Sequence, residues 1–166
     1  MKAHLLQKYS GILLVKHINT QIDCFIIMKK YYYLDTSIWR DYYENRSDRF
    51  RPLGERALEL INIIIENKDF ILYSDLVVEE LKVRYSEEEI NKIFEIIYKR
   101  NLLSKASISG SQVKEAAILC KKRKTAFGDA LHAILARDNK AIMVTRDKHF
   151  FELIDIAEIK KPEDLI

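Results

Sequence analysis

From residue 29 onward, apolar and polar positions follow two rhythms. Residues 30–35 (Lys-Tyr-Tyr-Tyr-Leu-Asp), 69–74 (Asp-Phe-Ile-Leu-Tyr-Ser) and 141–145 (Ala-Ile-Met-Val-Thr) are short apolar runs rich in aromatic and β-branched residues. They predict strands. Between them, apolar residues recur every three to four positions: Leu53, Ala57, Leu60, Ile61 and Ile64, then Ile90, Ile93, Phe94 and Ile97. Val113, Ala116, Ala117 and Cys120 continue the pattern, as do Phe127, Ala130, Leu131, Ile134 and Leu135. That spacing predicts helices with one buried face. Ser86-Glu87-Glu88-Glu89 reads as a capping box that starts the second of them. A short helix is expected from Ser37, another over residues 76–84 and a last short strand within residues 154–159. Residues 45–52, dense in charge and closed by Pro52, predict a loop. Strands separated by helices imply an α/β fold, with parallel strands joined by right-handed crossovers.

Length and charge narrow the picture modestly. A chain of 166 residues is long enough for one domain with a substantial core. The net charge is only +3, so nucleic-acid binding has to be argued from clusters of cations. Cys24 and Cys120 lie far apart and give neither a disulfide framework nor a zinc spacing, which suits a reducing cytoplasm. The apolar runs 12–15 and 25–28 are too short and too interrupted for a membrane span or a signal-peptide core. Residues 1–27 share none of the later rhythm. They are read either as an N-terminal extension or as upstream of a natural start at Met28, with residues 28–166 forming the domain.

Four acids carry the chemistry. Asp35 closes the first strand, Asp147 follows the 141–145 strand, Glu80 lies six residues past Ser74, and Asp129 opens a helix after Gly128. In a parallel α/β sheet, ligands bind beyond the carboxyl ends of the strands, where acids from separate segments can converge. Each acid alone has an ordinary explanation: a helix cap for Asp35, Asp129 and Asp147, a solvated helix position for Glu80. Together they are expensive. Two carboxylates about 5 Å apart repel by roughly 3 kcal/mol at an effective dielectric near 20. A divalent cation relieves that repulsion, and an all-oxygen set favours Mg²⁺ or Mn²⁺. Ser37 and Thr145 place hydroxyls two residues from Asp35 and Asp147 and could orient a carboxylate. Glu79 competes with Glu80, but only one of two adjacent helical residues can face the cluster.

The run Tyr-Leu-Asp35-Thr-Ser37-Ile-Trp resembles the opening motif of PIN-domain nucleases, and Ser74-Asp-Leu-Val-Val-Glu-Glu80-Leu resembles their second. Gly128-Asp129-Ala-Leu-His-Ala and Val-Thr145-Arg-Asp147-Lys-His149-Phe look like the third and fourth. The resemblance covers about residues 29–166. It implies a three-layer α/β/α sandwich around a mainly parallel sheet and a Mg²⁺- or Mn²⁺-dependent ribonuclease. In such an enzyme Asp35, Glu80, Asp129 and Asp147 hold the metal, and cleavage leaves a 3′-hydroxyl and a 5′-phosphate. Many small members are toxins of VapBC-type toxin–antitoxin pairs, which implies RNA as substrate, an antitoxin protein as partner, a homodimer and a cytoplasmic setting. One departure stands out: after Glu80-Leu81 many such toxins carry a small residue, whereas here Lys-Val-Arg-Tyr leads into a long helix.

Lys121, Lys122, Arg123 and Lys124 end a helix just before Asp129. They are either a solvated cationic terminus complementing the helix dipole or a phosphate rail for RNA. Arg40, Arg46, Arg49 and Arg51 offer the same two readings. Tyr31, Tyr32 and Tyr33 are expected to fill the sheet, and Trp39 to pack in the core or at a subunit interface. His132 and His149 are left out of the catalytic set, because metal chemistry needs no histidine base. Two other functions compete. A haloacid-dehalogenase-type phosphatase needs a second Asp two residues after the first, where this chain has Ser37. A catalytically silent RNA- or protein-binding module on the same fold would give the four acids no cation to offset their repulsion.

Overall fold

The computed structural model describes residues 29–166. The expectations for residues 1–27, for a start at Met28 and for Cys24 lie outside the described residues. Five strands, β1 (Tyr31–Leu34), β2 (Phe70–Tyr73), β3 (Leu103–Lys105), β4 (Ile142–Val144) and β5 (Ile159–Lys160), form one sheet in the order β3-β2-β1-β4-β5. Every pairing is parallel. Six helices connect them: α1 (Thr36–Glu44), α2 (Leu53–Glu66), α3 (Asp75–Lys82), α4 (Glu87–Tyr98), α5 (Gly110–Arg123) and α6 (Phe127–Asp138). A 3₁₀ helix spans Lys148–Leu153.

The chain steps outward from β1 to β2 and β3, then crosses back to lay β4 and β5 on the other side of β1. Right-handed crossovers running in opposite senses leave their helices on opposite faces. α1 to α4 therefore cover one face and α5 with α6 the other, the three-layer sandwich the sequence implies. The reversal falls between β1 and β4, and opens a crevice at their carboxyl ends.

Because both faces are covered, the central strands are buried at successive positions and do not alternate. Trp39 is fully buried and meets Phe94 edge-on with ring centroids 4.8 Å apart. It belongs to the core of this chain. At the joint of α1 and α2, Asn45 adopts a left-handed conformation (φ 48°) and Gly54 presses against it. A Cβ on Gly54 would stand 2.6 Å from the Asn45 Cα, so only glycine fits this turn.

The structure corrects several boundaries. β3 has no counterpart in the predicted elements. Its Leu-Ser-Lys has one apolar residue, and pairing with Ile71, Leu72 and Tyr73 of β2 makes it a strand. The last strand is shorter and later than expected. The Ile156 and Ala157 amides bond back to the Leu153 carbonyl, which keeps residues 154–157 in a turn. After α3, the Arg84 and Tyr85 amides close onto the Leu81 carbonyl. Ser86 then caps α4 with the reciprocal bonds of the expected box. Lys82 to Tyr85 thus end one helix and lead into a separate one.

Candidate active site

Asp35 stands at the head of the crevice. Its amide donates to the Val144 carbonyl (3.0 Å), tying the end of β1 to the end of β4. The residue occupies the N-cap position of α1, yet its side chain caps nothing. Two hydroxyls hold the carboxylate instead: Ser37 Oγ (2.5 Å) and Thr145 Oγ1 (2.9 Å) both donate to Oδ2. Thr145, fully buried, also accepts the Asp147 amide (3.0 Å), so one hydroxyl links two of the acids. Asp147 is exposed and does act as a cap, its Oδ1 accepting the His149 amide at 2.9 Å. Asp129 does not: it lies in the first turn of α6, with Ala126 in the capping position.

Glu80 enters from α3. Its Oε2 accepts the Thr36 hydroxyl, and its Oε1 lies 3.2 Å from His132 Nε2. Glu79 points to solvent and pairs with Lys82, so the helix presents Glu80 to the cluster. The first turn of α6 abuts Glu80: a Cβ on Gly128 would lie 3.6 Å from Oε1. A helix N-terminus favours a nearby negative charge. His132 comes from the opposite helical layer, three residues after Asp129, and is 1% exposed. Its Nδ1 is 2.8 Å from the Tyr33 hydroxyl, itself 2.6 Å from Ser74 Oγ.

The carboxyls of the site respond in opposite directions. Burial pushes Glu80 up, but the hydrogen bond and charge of His132 and the Thr36 hydroxyl outweigh it and hold the carboxyl below its usual range. Asp129 is raised, first by burial and then by the negative charges of Asp147 and Asp35, with His132 and His149 offsetting part of the rise. Asp129 therefore lies within electrostatic reach of both other aspartates. One ligand atom each from Asp35, Glu80 and His132 lie within 4.8 Å of one another. Donors around one Mg²⁺ at about 2.1 Å stand at most about 4.2 Å apart, so small side-chain adjustments suffice for Asp35 and Glu80 to share a cation.

The cationic clusters are less available than the sequence suggests. Arg123 forms a two-pronged pair with Asp155 (2.6 and 2.5 Å) and donates to the Glu152 carbonyl, while Lys121, Lys122 and Lys124 are exposed. The pair with Arg123 holds the Asp155 carboxyl down to about 2. Arg40 pairs with Glu44, Arg46 with Asp41 and Arg51 with Asp48, which favours a self-neutralised loop there. Arg146, between Thr145 and Asp147, reaches buried Asp41, Glu163 and the Leu53 carbonyl, and so fixes the α1–α2 hairpin beside the site.

Sequence reasoning missed Thr36, Tyr33, Ser74 and His132. A signal existed for two of them. Tyr33 is two residues before Asp35 on a strand, and His132 three after Asp129 on a helix, so each shares a face with its acid.

A family model described as PIN domain matches residues 32–156. No curated protein matches the chain. Among solved structures, a chain of the crystal structure of VapBC2 from Rickettsia felis bound to a DNA fragment from their promoter is 18% identical with a TM-score of 0.58. The alignment covers 79% of this chain and 98% of that one. A chain of FitAcB from Neisseria gonorrhoeae is 16% identical, with a TM-score of 0.52, 80% of this chain covered and 99% of that one. A chain of FitAB bound to an IR36 DNA fragment gives 16% and 0.52, with 78% and 94% covered. At these identities the likeness is one of fold.

Proposed function

This chain belongs to the PIN-domain family, and on that premise we propose that it is a divalent-metal-dependent endoribonuclease, the toxin of a VapBC-type pair. The observation that supports the reading is the approach of Asp35 and Glu80, which offer carboxylate oxygens within 4.8 Å of each other beyond the carboxyl end of β1. Asp129 is raised by burial and then by the negative charges of Asp147 and Asp35, which puts it in electrostatic reach of both. Those four carboxylates would hold Mg²⁺ or Mn²⁺. A cation held there would polarise a phosphodiester and lower the pKa of water, and the family resemblance implies 3′-hydroxyl and 5′-phosphate products.

The chain's own residues prepare the site. Ser37 and Thr145 both use Oδ2 of Asp35, and among the described residues Oδ1 accepts no hydrogen bond, which leaves it to face a ligand. Thr36 and His132 each engage one oxygen of Glu80 and so orient its carboxylate. Asp147 gives Oδ1 to its cap, and Oδ2 would be the oxygen left for a cation. Lys121 and Lys122 in the last turn of α5, with Lys124 at its C-terminal cap, would meet RNA phosphates by charge alone, with no sequence preference. Arg123 would have to leave Asp155 to join them.

The toxin role rests on likeness in fold to chains of VapBC2 and FitAB complexes. It brings with it a cognate antitoxin, a homodimer and a cytoplasmic setting. Purified wild type and Asp35→Asn should be compared on structured and single-stranded RNA with Mn²⁺ and with chelator. Cleavage by wild type that needs the metal and disappears in Asp35→Asn supports the reading. A protein that binds RNA and never cuts it, with or without metal, is instead the silent binding module. Growth arrest on expression, relieved by the neighbouring open reading frame, separates a toxin from an RNA-processing enzyme.

A further inference from the structure

We propose that Ser74, Tyr33 and His132 form a buried donor chain whose task is to hold Glu80, making His132 a positioning residue and not a metal ligand. This rests on the nuclease reading of the site. The chain has three contacts: Ser74 Oγ to Tyr33 OH (2.6 Å), Tyr33 OH to His132 Nδ1 (2.8 Å) and His132 Nε2 to Glu80 Oε1 (3.2 Å). Ser74 and Tyr33 are fully buried and His132 is 1% exposed, so solvent does not complete any of these bonds.

Counting hydrogens fixes the direction. With the imidazole neutral, the Ser74 hydroxyl, the Tyr33 hydroxyl and the ring each bring one hydrogen for three contacts, and a doubly protonated ring would still donate from Nε2 to Glu80. Ser74 donating to Tyr33, Tyr33 to Nδ1, and Nε2–H to Glu80 puts one hydrogen in each. In the reverse direction the Nε2 lone pair faces the Glu80 carboxylate, and the Ser74 hydroxyl is left with no acceptor in the chain. Buried donors are seldom left unmade, so the forward direction holds.

Two consequences follow for Glu80. Nε2 carries its proton toward the carboxylate and presents no lone pair to a cation, and imidazole is in any case a poor match for Mg²⁺ beside oxygen ligands. With Oε1 held by His132 and Oε2 by Thr36, the carboxylate is fixed in rotation before any ion arrives. Outer partners of this kind typically change metal affinity by about 10- to 100-fold.

The test compares wild type, His132→Leu, His132→Gln and Tyr33→Phe in the full chain, with circular dichroism to establish folding. Manganese affinity is read by electron paramagnetic resonance. The expected result is Mn²⁺ binding weakened about 10- to 100-fold in His132→Leu. His132→Gln, whose amide nitrogen can replace Nε2–H, should recover most of it, and Tyr33→Phe should weaken it to a smaller degree. Nitrogen-15 spectra of histidine-labelled, metal-free wild type should place the proton on Nε2 and leave Nδ1 bare. A proton on Nδ1 with none on Nε2 overturns the proposal. So does unchanged affinity in a folded His132→Leu, or a folded His132→Gln as weak as the leucine variant, which would make the ring itself a ligand. If His132→Leu does not fold, the glutamine and phenylalanine variants decide by the same criteria. Wild type that binds no Mn²⁺ refutes the metal-dependent reading, while the nitrogen spectrum still decides the direction of the chain.

Discussion

Thr145 spends one hydroxyl on two acids, donating to Asp35 and accepting the amide of Asp147. Thr145→Val keeps the shape and removes both bonds, leaving a buried carboxylate oxygen and an amide short of partners. A loss of about 1–3 kcal/mol in chemical denaturation is expected, with weaker metal binding. Asp35→Asn should abolish metal-dependent cleavage in a protein that still folds, because the amide keeps an oxygen for the Thr145 and Ser37 hydroxyls. Cleavage near the wild-type rate by a folded preparation would remove Asp35 from the site. Asp129 gives a pH signature. Its carboxyl is raised in the folded, metal-free state, so its contribution to stability is complete below the ordinary carboxylate range and lost as pH rises through the raised value. Asp129→Asn should therefore melt above wild type at neutral pH in chelator, and the gap should close as pH falls below about 4. At this scale the acids were legible and their holders were not. Asp35, Glu80, Asp129 and Asp147 sit at strand ends and helix starts, positions that periodicity reveals. What lies opposite Tyr33 or His132 depends on contacts between segments 41 and 99 residues apart, which no local pattern encodes. His132 is not needed as a base, and only its contact with Glu80 in the folded chain reveals that it can hold a neighbour.

Among the elements, the helices with a clear apolar period and the strands β1, β2 and β4 could be read from the chain, and the capping box of α4 is present as expected. β3 could not, because its three residues become a strand only by pairing with β2. β5 was misplaced because apolar Ile154 and Ile156 resemble a strand locally, while the turn that holds them is closed by bonds to Leu153. The α1–α2 joint supplies an element-scale prediction. Gly54→Ala would drive a methyl group to within 2.6 Å of the Asn45 backbone, which cannot rotate aside. Stability should fall by about 1–3 kcal/mol, as in overpacked cores, measured by the denaturation midpoint at constant slope. Wild-type stability in that variant would mean that the joint is looser than its contacts indicate.

For the whole molecule, a bound cation should count as a ligand of the folded state alone. Mn²⁺ at a hundred times its dissociation constant should stabilise the fold by about 2.7 kcal/mol, visible as a higher melting temperature that Asp35→Asn does not share. A shortened chain beginning at Met28 is expected to fold, bind metal and cleave like the full one, since the four acids and the family match lie beyond it. A melting loss equivalent to about 1 kcal/mol or more would show that residues 1–27 pack on the domain. The strand order carries one more consequence, for the timing of synthesis. β1 is the middle of the sheet, but its neighbour β4 is translated more than a hundred residues later. A nascent chain that has emerged only through α6 contains Asp35, Glu80 and Asp129, yet lacks the strand that closes the crevice, the Thr145 hydroxyl that links the acids, and Asp147. On the nuclease reading proposed above, such a nascent chain should be inactive until β4 pairs with β1.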